Sequence, residues 1–598
     1  MTDHSGTTRS IWMDSGPLPV PTFLNEDLQT EICIIGGGIA GLSTAYELTR
    51  RGRKIVLLED GLLAGGETER TTAHLTHAFD DRFFEVERLH GKEAARLTAE
   101  SHTAAIDYIE DTVLREKISC DFERLDGYLF AAPGDSEELL QRELEAAHQA
   151  GLTTVELLSR VPSIPFDTGR ALRFPRQAQF NPLKYLRALV AAITRQGALL
   201  FGHTHVDKVT DGTPCCVHTN TGRTVKADAV VVATNTPVND RVTIHTKQAP
   251  YRTYVIAVPV PLNTIPHLLL WDTADPYHYV RLQHQNGQDI LIVGGEDHKT
   301  GQPHFPSQPS MPPLPRGEGR GEGQTGSRND PEQRWNALID WTCERFPIVG
   351  SVPAGKTATE SGDSQPSKAR AKLFPLPRGE GQGEGQTGTL EIAYRWSGQV
   401  MEPVDYLAFI GRNPGDKHIF IATGDSGQGM THGTIAAMLL SDLITGDDNP
   451  WKELYDPSRK TLRALPEFAR ENLNVAAQYG EYLTGSDKLP LPRGEGRGEG
   501  QTGSSVRTAA ELTPDGGAVI RHGLHKIATY KSEDGTIHER SAICPHMGCI
   551  VHWNHAEKTW DCPCHGSRFD RFGSVLNGPA ITDLKPLGRE QARLATKE

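Results

Sequence analysis

Short apolar runs alternate with helically spaced ones near the start of the chain. Glu31 to Ile35 reads EICII and Lys54 to Leu58 reads KIVLL, each of strand length. Between them Ala40, Leu42, Ala45 and Leu48 recur at the spacing of one helix face. The pattern predicts strand, helix, strand, with Gly36, Gly37 and Gly38 at the first junction. Further on, Ala227 to Asn235 (ADAVVVATN) is an apolar strand that ends in small polar residues. His418 to Ala422 (HIFIA) is another; it runs into a Gly-rich turn and then an amphipathic helix, TIAAMLLSDLI. Tyr251 to Val260, Tyr277 to Gln283 and Ile290 to Gly294 complete the candidate strands.

One segment breaks this pattern three times. LPRGEGRGEGQTG occupies Leu314 to Gly326 and Leu491 to Gly503, and a copy with one change occupies Leu376 to Gly388. The spacings are unequal, which argues against a solenoid of fixed period. The copies hold almost nothing that could be buried, so they read as inserts in surface loops, without chemistry. Deleting all three is expected to leave cofactor content unchanged, as metal and chromophore analysis of the purified variant would show. The third copy marks a linker at 487–505, ahead of a small C-terminal unit at 506–598.

Length and charge narrow the classes. At 598 residues the chain exceeds one core and suggests roughly three or four domain-sized units. A net charge of −14 disfavours a nucleic-acid partner, which needs a basic surface. The N-terminus lacks the basic-then-apolar pattern of a signal peptide, and no apolar run reaches membrane-span length, so the expectation is a cytoplasmic protein with no integral membrane segment. Five of nine cysteines are scattered, but Cys544, Cys549, Cys562 and Cys564 crowd together, which points to a metal site.

Gly36-x-Gly38-x-x-Gly41 sits between strand and helix, and Glu59 ends the next strand roughly 20 residues on. Gly36 permits the tight turn. Gly38 lets amides approach a pyrophosphate at the helix N-terminus. Gly41 lets helix and strand pack closely, and Glu59 can accept from a ribose hydroxyl. Thr423 to Gly433 forms a second Gly-rich strand-to-helix turn far away in sequence, as an extended cofactor with two distant ends requires.

In these motifs the chain resembles the D-amino-acid oxidase, glycine oxidase and sarcosine oxidase superfamily. The resemblance implies an α/β FAD-binding domain (Rossmann-like, glutathione-reductase type) with an interleaved mixed-sheet substrate domain. It spans 28–486, with FAD-binding parts at about 28–78, 180–245 and 400–486 and the substrate part between. It implies that Gly36, Gly38, Gly41 and Glu59 hold the ADP half. Gly65, Gly66, Thr71 and Thr72 would approach the pyrophosphate and the flavin edge. Gly424, Asp425, Gly427, Gly429, Met430 and Thr431 would lie by the isoalloxazine, where amides stabilise negative charge. No Cys lies in the matching loops, so the FAD is expected to be non-covalent; His74, His77 and His432 lie near the proposed ring region. On the substrate side the candidates are Tyr251, Arg252, Tyr254, Tyr279, Arg281, Arg395 and Trp396. An arginine that grips a carboxylate would suit an amino-acid substrate; the alternative is that all of these are surface or packing residues, and the sequence does not choose between them.

Cys544-Pro-His546-Met-Gly-Cys549 and Cys562-Pro-Cys564-His565-Gly-Ser567 each offer one Cys and one His. A Rieske 2Fe-2S centre needs two thiolates on one iron and two imidazoles on the other. Cys544, His546, Cys562 and His565 are the candidate ligands. A zinc site of Cys and His is the rival reading, but it leaves CPCHGS and the Pro loop unexplained. The boxes resemble those of Rieske proteins from respiratory and photosynthetic cytochrome complexes. That resemblance implies a small all-β domain, a Cys549–Cys564 disulfide, and a covering loop at Gly578-Pro579-Ala580. Ser567 can donate to cluster sulfur, whereas Phe569 replaces the Tyr of many high-potential members, so a lower potential is expected.

The two sites together lead to an FAD-dependent oxidoreductase acting on an amine, an amino acid or a related small molecule. Electrons would pass between flavin and cluster and on to an unknown partner. Two alternatives stay open: a reductase fed by an outside donor through the cluster, and a non-catalytic redox-sensing module.

Overall fold

The computed structural model describes residues 5–19, 21–239, 243–302, 331–347, 373–375, 389–483, 506, 508–523 and 525–587. The three repeat copies and the proposed linker lie outside the described residues. Among the described residues no helix is long and apolar enough to cross a membrane.

Strands with apolar residues on both sides belong inside a sheet covered on both faces. The strand Leu28–Ile35 does this at the centre of an eight-stranded sheet. It pairs in parallel with Thr224–Val232 on one side and Ile55–Leu58 on the other. Ile419–Thr423 and Leu199–Phe201 extend the parallel set outward. Ile32 and Ile34 face a helical layer that includes Ile39–Arg50 and Gly429–Thr445. Cys33 and Ile35 face the other way, into a second cluster with Val206, Cys215 and Val217 of an antiparallel hairpin. The register aligns the carboxyl ends of these strands: Gly36 N–H donates to Leu58 O and Ala233 N–H to Ile35 O, both at 2.8 Å. Ligands of such sheets bind beyond those ends.

A nine-stranded mixed sheet stands beside it, in the order Tyr394–Pro403, Gln248–Val260, Gln288–Lys299, His278–Gln285, Leu269–Asp272, Glu123–Phe130, Ala171–Gln179, His74–Leu75, with Glu156–Leu158 as a ninth strand also paired to Ala171–Gln179. Its pairs are antiparallel apart from Leu269–Asp272 with Glu123–Phe130. The helix Pro331–Arg345 covers one face through Trp335, Leu338 and Trp341. The other face, with Val255, Trp271, Tyr279 and Ile292, joins the core of the first sheet. Gln288–Lys299 runs five residues past the apolar stretch that predicted it. The extension carries Glu296, Asp297 and His298, which hydrophobic pattern alone cannot assign to a strand.

The C-terminal unit is a three-stranded and a four-stranded antiparallel sheet sharing one core. It is clamped onto the rest. Arg70 and Glu557 form an ion pair at 3.1 Å with both side chains buried. Ser397 Oγ donates to Glu557 at 2.6 Å, and Arg568 pairs with Glu67 at 3.2 Å. Burial alone would push the Glu557 carboxyl up, yet Arg70, Arg252 and Arg568 hold it down at about 2.

Candidate functional site

A cavity of about 280 Å³ opens at the carboxyl ends of the parallel strands and reaches the mixed sheet. At its first end the chain turns at Gly36, whose φ of +105° disfavours a side chain; a Cβ there would lie 2.4 Å from Ala233 O. Gly41 is tighter still, since a Cβ would meet Gly36 O at 1.9 Å. Gly38 precedes the helix and lines the cavity; Gly41 acts by letting helix and strand touch. Glu59 also lines it, accepting N–H groups from Gly37 (2.5 Å) and Gly61 (3.1 Å), and burial raises its pKa. Gly66, Thr71 and Thr72 follow along the wall, whereas Gly65 sits in a turn behind it.

The second Gly-rich turn forms the opposite wall. Gly424, Asp425, Gly427, Gly429 and Met430 line the cavity. Burial raises the Asp425 carboxyl to about 6. Thr431 is off the wall; its hydroxyl donates to Gln428 O at 3.0 Å in the first helical turn. His432 reaches the wall, anchored by Nδ1 to Asp425 O at 2.8 Å, and burial lowers its pKa to about 4. His74 lines the wall too, lowered to about 3 by burial and by Arg281. His77 does not. It packs against Gln177 and the Pro175 carbonyl in the mixed sheet.

The substrate-side candidates divide between cavity wall and packing. Tyr279 lines the cavity, its hydroxyl 2.9 Å from Thr253 Oγ1. No arginine of the candidate set is free to grip a carboxylate there. Arg281 is held by the carbonyls of Thr72, Ala73 and Phe180 and by Gln283. Arg252 turns toward the C-terminal unit, donating to Ser397 and lying 3.7 Å from Asp561. Arg395 pairs with Glu332 over the Trp335 ring. Trp396 donates to Arg70 O, and Tyr251 and Tyr254 also lie off the cavity. Trp271, Tyr277, Asp80 and Asp297 take the place these residues were expected to fill. They carry no local motif, so sequence spacing could not single them out.

In the C-terminal unit Cys549 and Cys564 form a disulfide with Cα atoms 6.5 Å apart. Cys544 and Cys562 remain thiols, both buried. The rings of His546 and His565 stand 5.0 Å apart. The Ser567 hydroxyl accepts Ala580 N–H at 3.0 Å, which draws the Gly578-Pro579-Ala580 loop over the pocket. His245, from the larger part of the chain, packs its ring 5.0 Å from His546 and 6.1 Å from His565. Sequence reading missed His245, since nothing near it in the chain marks it.

Residues 31–375 match the FAD dependent oxidoreductase family. The chain belongs to that family. Residues 504–588 match the Rieske [2Fe-2S] domain, which replaces the zinc alternative. A Bacillus subtilis protein described as "Putative Rieske 2Fe-2S iron-sulfur protein YhfW" is 29% identical over 97% of both chains. Gamma-glutamylputrescine oxidoreductase of Escherichia coli is 24% identical over 75% of this chain and 90% of its own. Among solved structures, glycine oxidase from Geobacillus kaustophilus aligns with a TM-score of 0.54 and 16% identity, over 72% of this chain and 99% of that one. The protein is therefore an FAD-dependent oxidoreductase carrying a Rieske domain.

The oxidoreductase's residues fit both cofactors. The cavity is long, walled by two glycine-rich helix starts, and too tight at Gly36 and Gly41 for any side chain. In the Rieske pocket the disulfide removes two sulfurs, leaving two thiols and two imidazoles; His565 Nδ1 is buried and has no hydrogen-bond partner. That donor set suits a histidine-ligated iron pair.

Proposed function

We propose that the oxidoreductase is a dehydrogenase of an amine, an amino acid or a related small molecule, in which flavin and cluster exchange electrons within one polypeptide. When bound, the flavin takes a hydride from a C–N bond and the cluster carries electrons singly. The observation that carries this reading is the position of Gln399. It lines the cavity, and its Nε2 donates at 3.0 Å to the carbonyl of Gly566, next to His565. Val575 to Gly578 and Ala580 of the Rieske domain also form part of the cavity wall. Similarity to gamma-glutamylputrescine oxidoreductase of Escherichia coli and to glycine oxidase supports a C–N substrate.

The residue roles follow from placement. We assign Gly36, Gly38 and Glu59 to the ADP half, with Gly41 acting through packing. Gly66, Thr71 and Thr72 line the path between the two ends, and Gly65 shapes the turn beside them. Gly424, Asp425, Gly427, Gly429 and Met430 face the ring end, and Thr431 supports their turn. Cys544, His546, Cys562 and His565 hold the cluster. The Rieske domain's buried docking places His546 and His565 against His245.

Anaerobic mixing with a panel of amines and amino acids, plus an artificial electron acceptor, tests the substrate class. At least one member is expected to bleach the flavin absorbance and reduce the acceptor catalytically. A panel that leaves the flavin oxidised throughout contradicts the reading.

A further inference from the structure

The mixed-sheet end of the cavity has a charge problem that the fold leaves unsolved. Asp80 and Asp297 line it, with Asp81 and Glu402 close behind. Asp80 Oδ2 lies against Gly427, where an added Cβ would sit 2.8 Å from it and 3.6 Å from the Tyr277 hydroxyl. None of these four carboxylates has an ion pair among the described residues. Arg82 donates to the Asp80 backbone carbonyl and its charge only partly offsets Asp80 and Asp81, and Lys299 is taken by Glu471. Shielding from water raises all four: Asp80 to about 6, Asp81 and Asp297 to about 7, and Glu402 well above its ordinary value.

A second observation is independent of that clustering. Thr253 hydrogen-bonds the Asp297 carboxylate but leaves Asp297 Oδ1, out of contact with solvent in a residue on the cavity wall, without a partner. Gln428 Oε1, on the same wall, is likewise an acceptor with no hydrogen bond, in a residue only 5% exposed. Buried acceptors left unsatisfied are rare and costly, so the site calls for a donor from outside the chain. Among the described residues these carboxylate oxygens do not converge in a group tight enough for a metal ion. The rings of Tyr277 and Tyr279, 5.6 Å apart, and of Trp271 line the remaining wall and favour a cation with an aliphatic body.

We propose that this end of the cavity binds substrate through a protonated amino group, held by Asp297 and Asp80 beside the rings of Tyr277 and Tyr279. The substrate class is an aliphatic amine whose positive charge is not offset by a neighbouring carboxylate. This rests on the C–N oxidation proposed above and narrows it. An α-carboxylate entering here would meet like charge, and among the described residues the one arginine on the cavity wall, Arg70, is already paired with Glu557.

The test compares two ligands of equal size, n-propylammonium and propionate, by anaerobic titration calorimetry on the flavin-loaded full chain. Propylammonium is expected to bind at least roughly tenfold tighter, as complementary charge at a buried site dictates. Asp297→Asn is expected to weaken propylammonium by roughly 30-fold, the cost of losing one partner of a buried charge pair, and to leave propionate no weaker. Tighter binding of propionate overturns the inference, as does propylammonium binding that ignores the Asp297 substitution. The wild-type ratio stands alone should the variant not fold. Flavin bleaching, recorded separately, decides the oxidation reading: bleaching by amino acids with propionate as the tighter ligand removes the ammonium site and leaves that reading intact.

Discussion

Glu557→Ala is expected to destabilise the protein by about 3–5 kcal/mol, because it strips the partner from buried guanidinium groups. Arg70 pairs directly with Glu557, and Arg252 and Arg568 add to the charge that holds its proton off. Ser397 and Thr8 also direct their hydroxyls to its oxygens. Removing the carboxylate leaves positive charge in a water-free seam between the Rieske domain and the mixed sheet. Urea unfolding of the cofactor-loaded protein checks this: the midpoint should fall clearly, and an unchanged midpoint would refute the clamp. The same group sets a pH dependence. Its folded-state pKa of about 2 lies below the ordinary 4.5. Its contribution is therefore complete above pH 4.5 and is lost as the pH falls toward 2. The alanine variant should lack that part of the acid sensitivity.

Cys562→Ser is expected to abolish the cluster and leave the flavin in place. Cys562 is 2% exposed, two residues before the disulfide-bonded Cys564, and the hard serine oxygen is a poor substitute for thiolate on iron. Iron analysis and the EPR spectrum of the reduced protein should both drop to background while the yellow absorbance persists. An intact Rieske signal in this variant would remove Cys562 from the ligand set. The flavin is expected to persist because Gly36, Gly38, Glu59 and the turn at Gly424 to Gly429 belong to the parallel sheet, although Val575 to Gly578 and Ala580 close part of the same cavity.

The features that could be read from sequence are those whose chemistry is local. Gly36, Gly38, Gly41 and Glu59 lie within one strand–helix–strand unit, so spacing alone places them together. The two Cys-x-His and Cys-x-x-His boxes declare their donor set in the same way. The substrate side could not be read so. Arg252, Arg281 and Arg395 are all arginines on strands beside the expected site. Their partners come from Ser397, from the Thr72, Ala73 and Phe180 carbonyls and from Glu332, all distant in the chain. Only tertiary packing decides whether such a guanidinium is free. Asp297 was hidden for a related reason. It sits in the polar extension of a strand whose apolar part ends at Gly294, and pairing with Gln248–Val260 holds that extension in the sheet. His245 shows the same limit, since its importance comes from the Rieske histidines that the fold brings to it.

The inward-facing cluster pocket is the feature on which the account turns. Rapid mixing with a substrate that bleaches the flavin, followed by freeze-quench EPR at several protein concentrations, tests it directly. Reduction of the cluster should follow bleaching at a rate that does not change with protein concentration, as transfer inside one molecule requires. A rate that climbs in proportion to concentration, or a cluster that stays oxidised while the flavin is fully reduced, would contradict it.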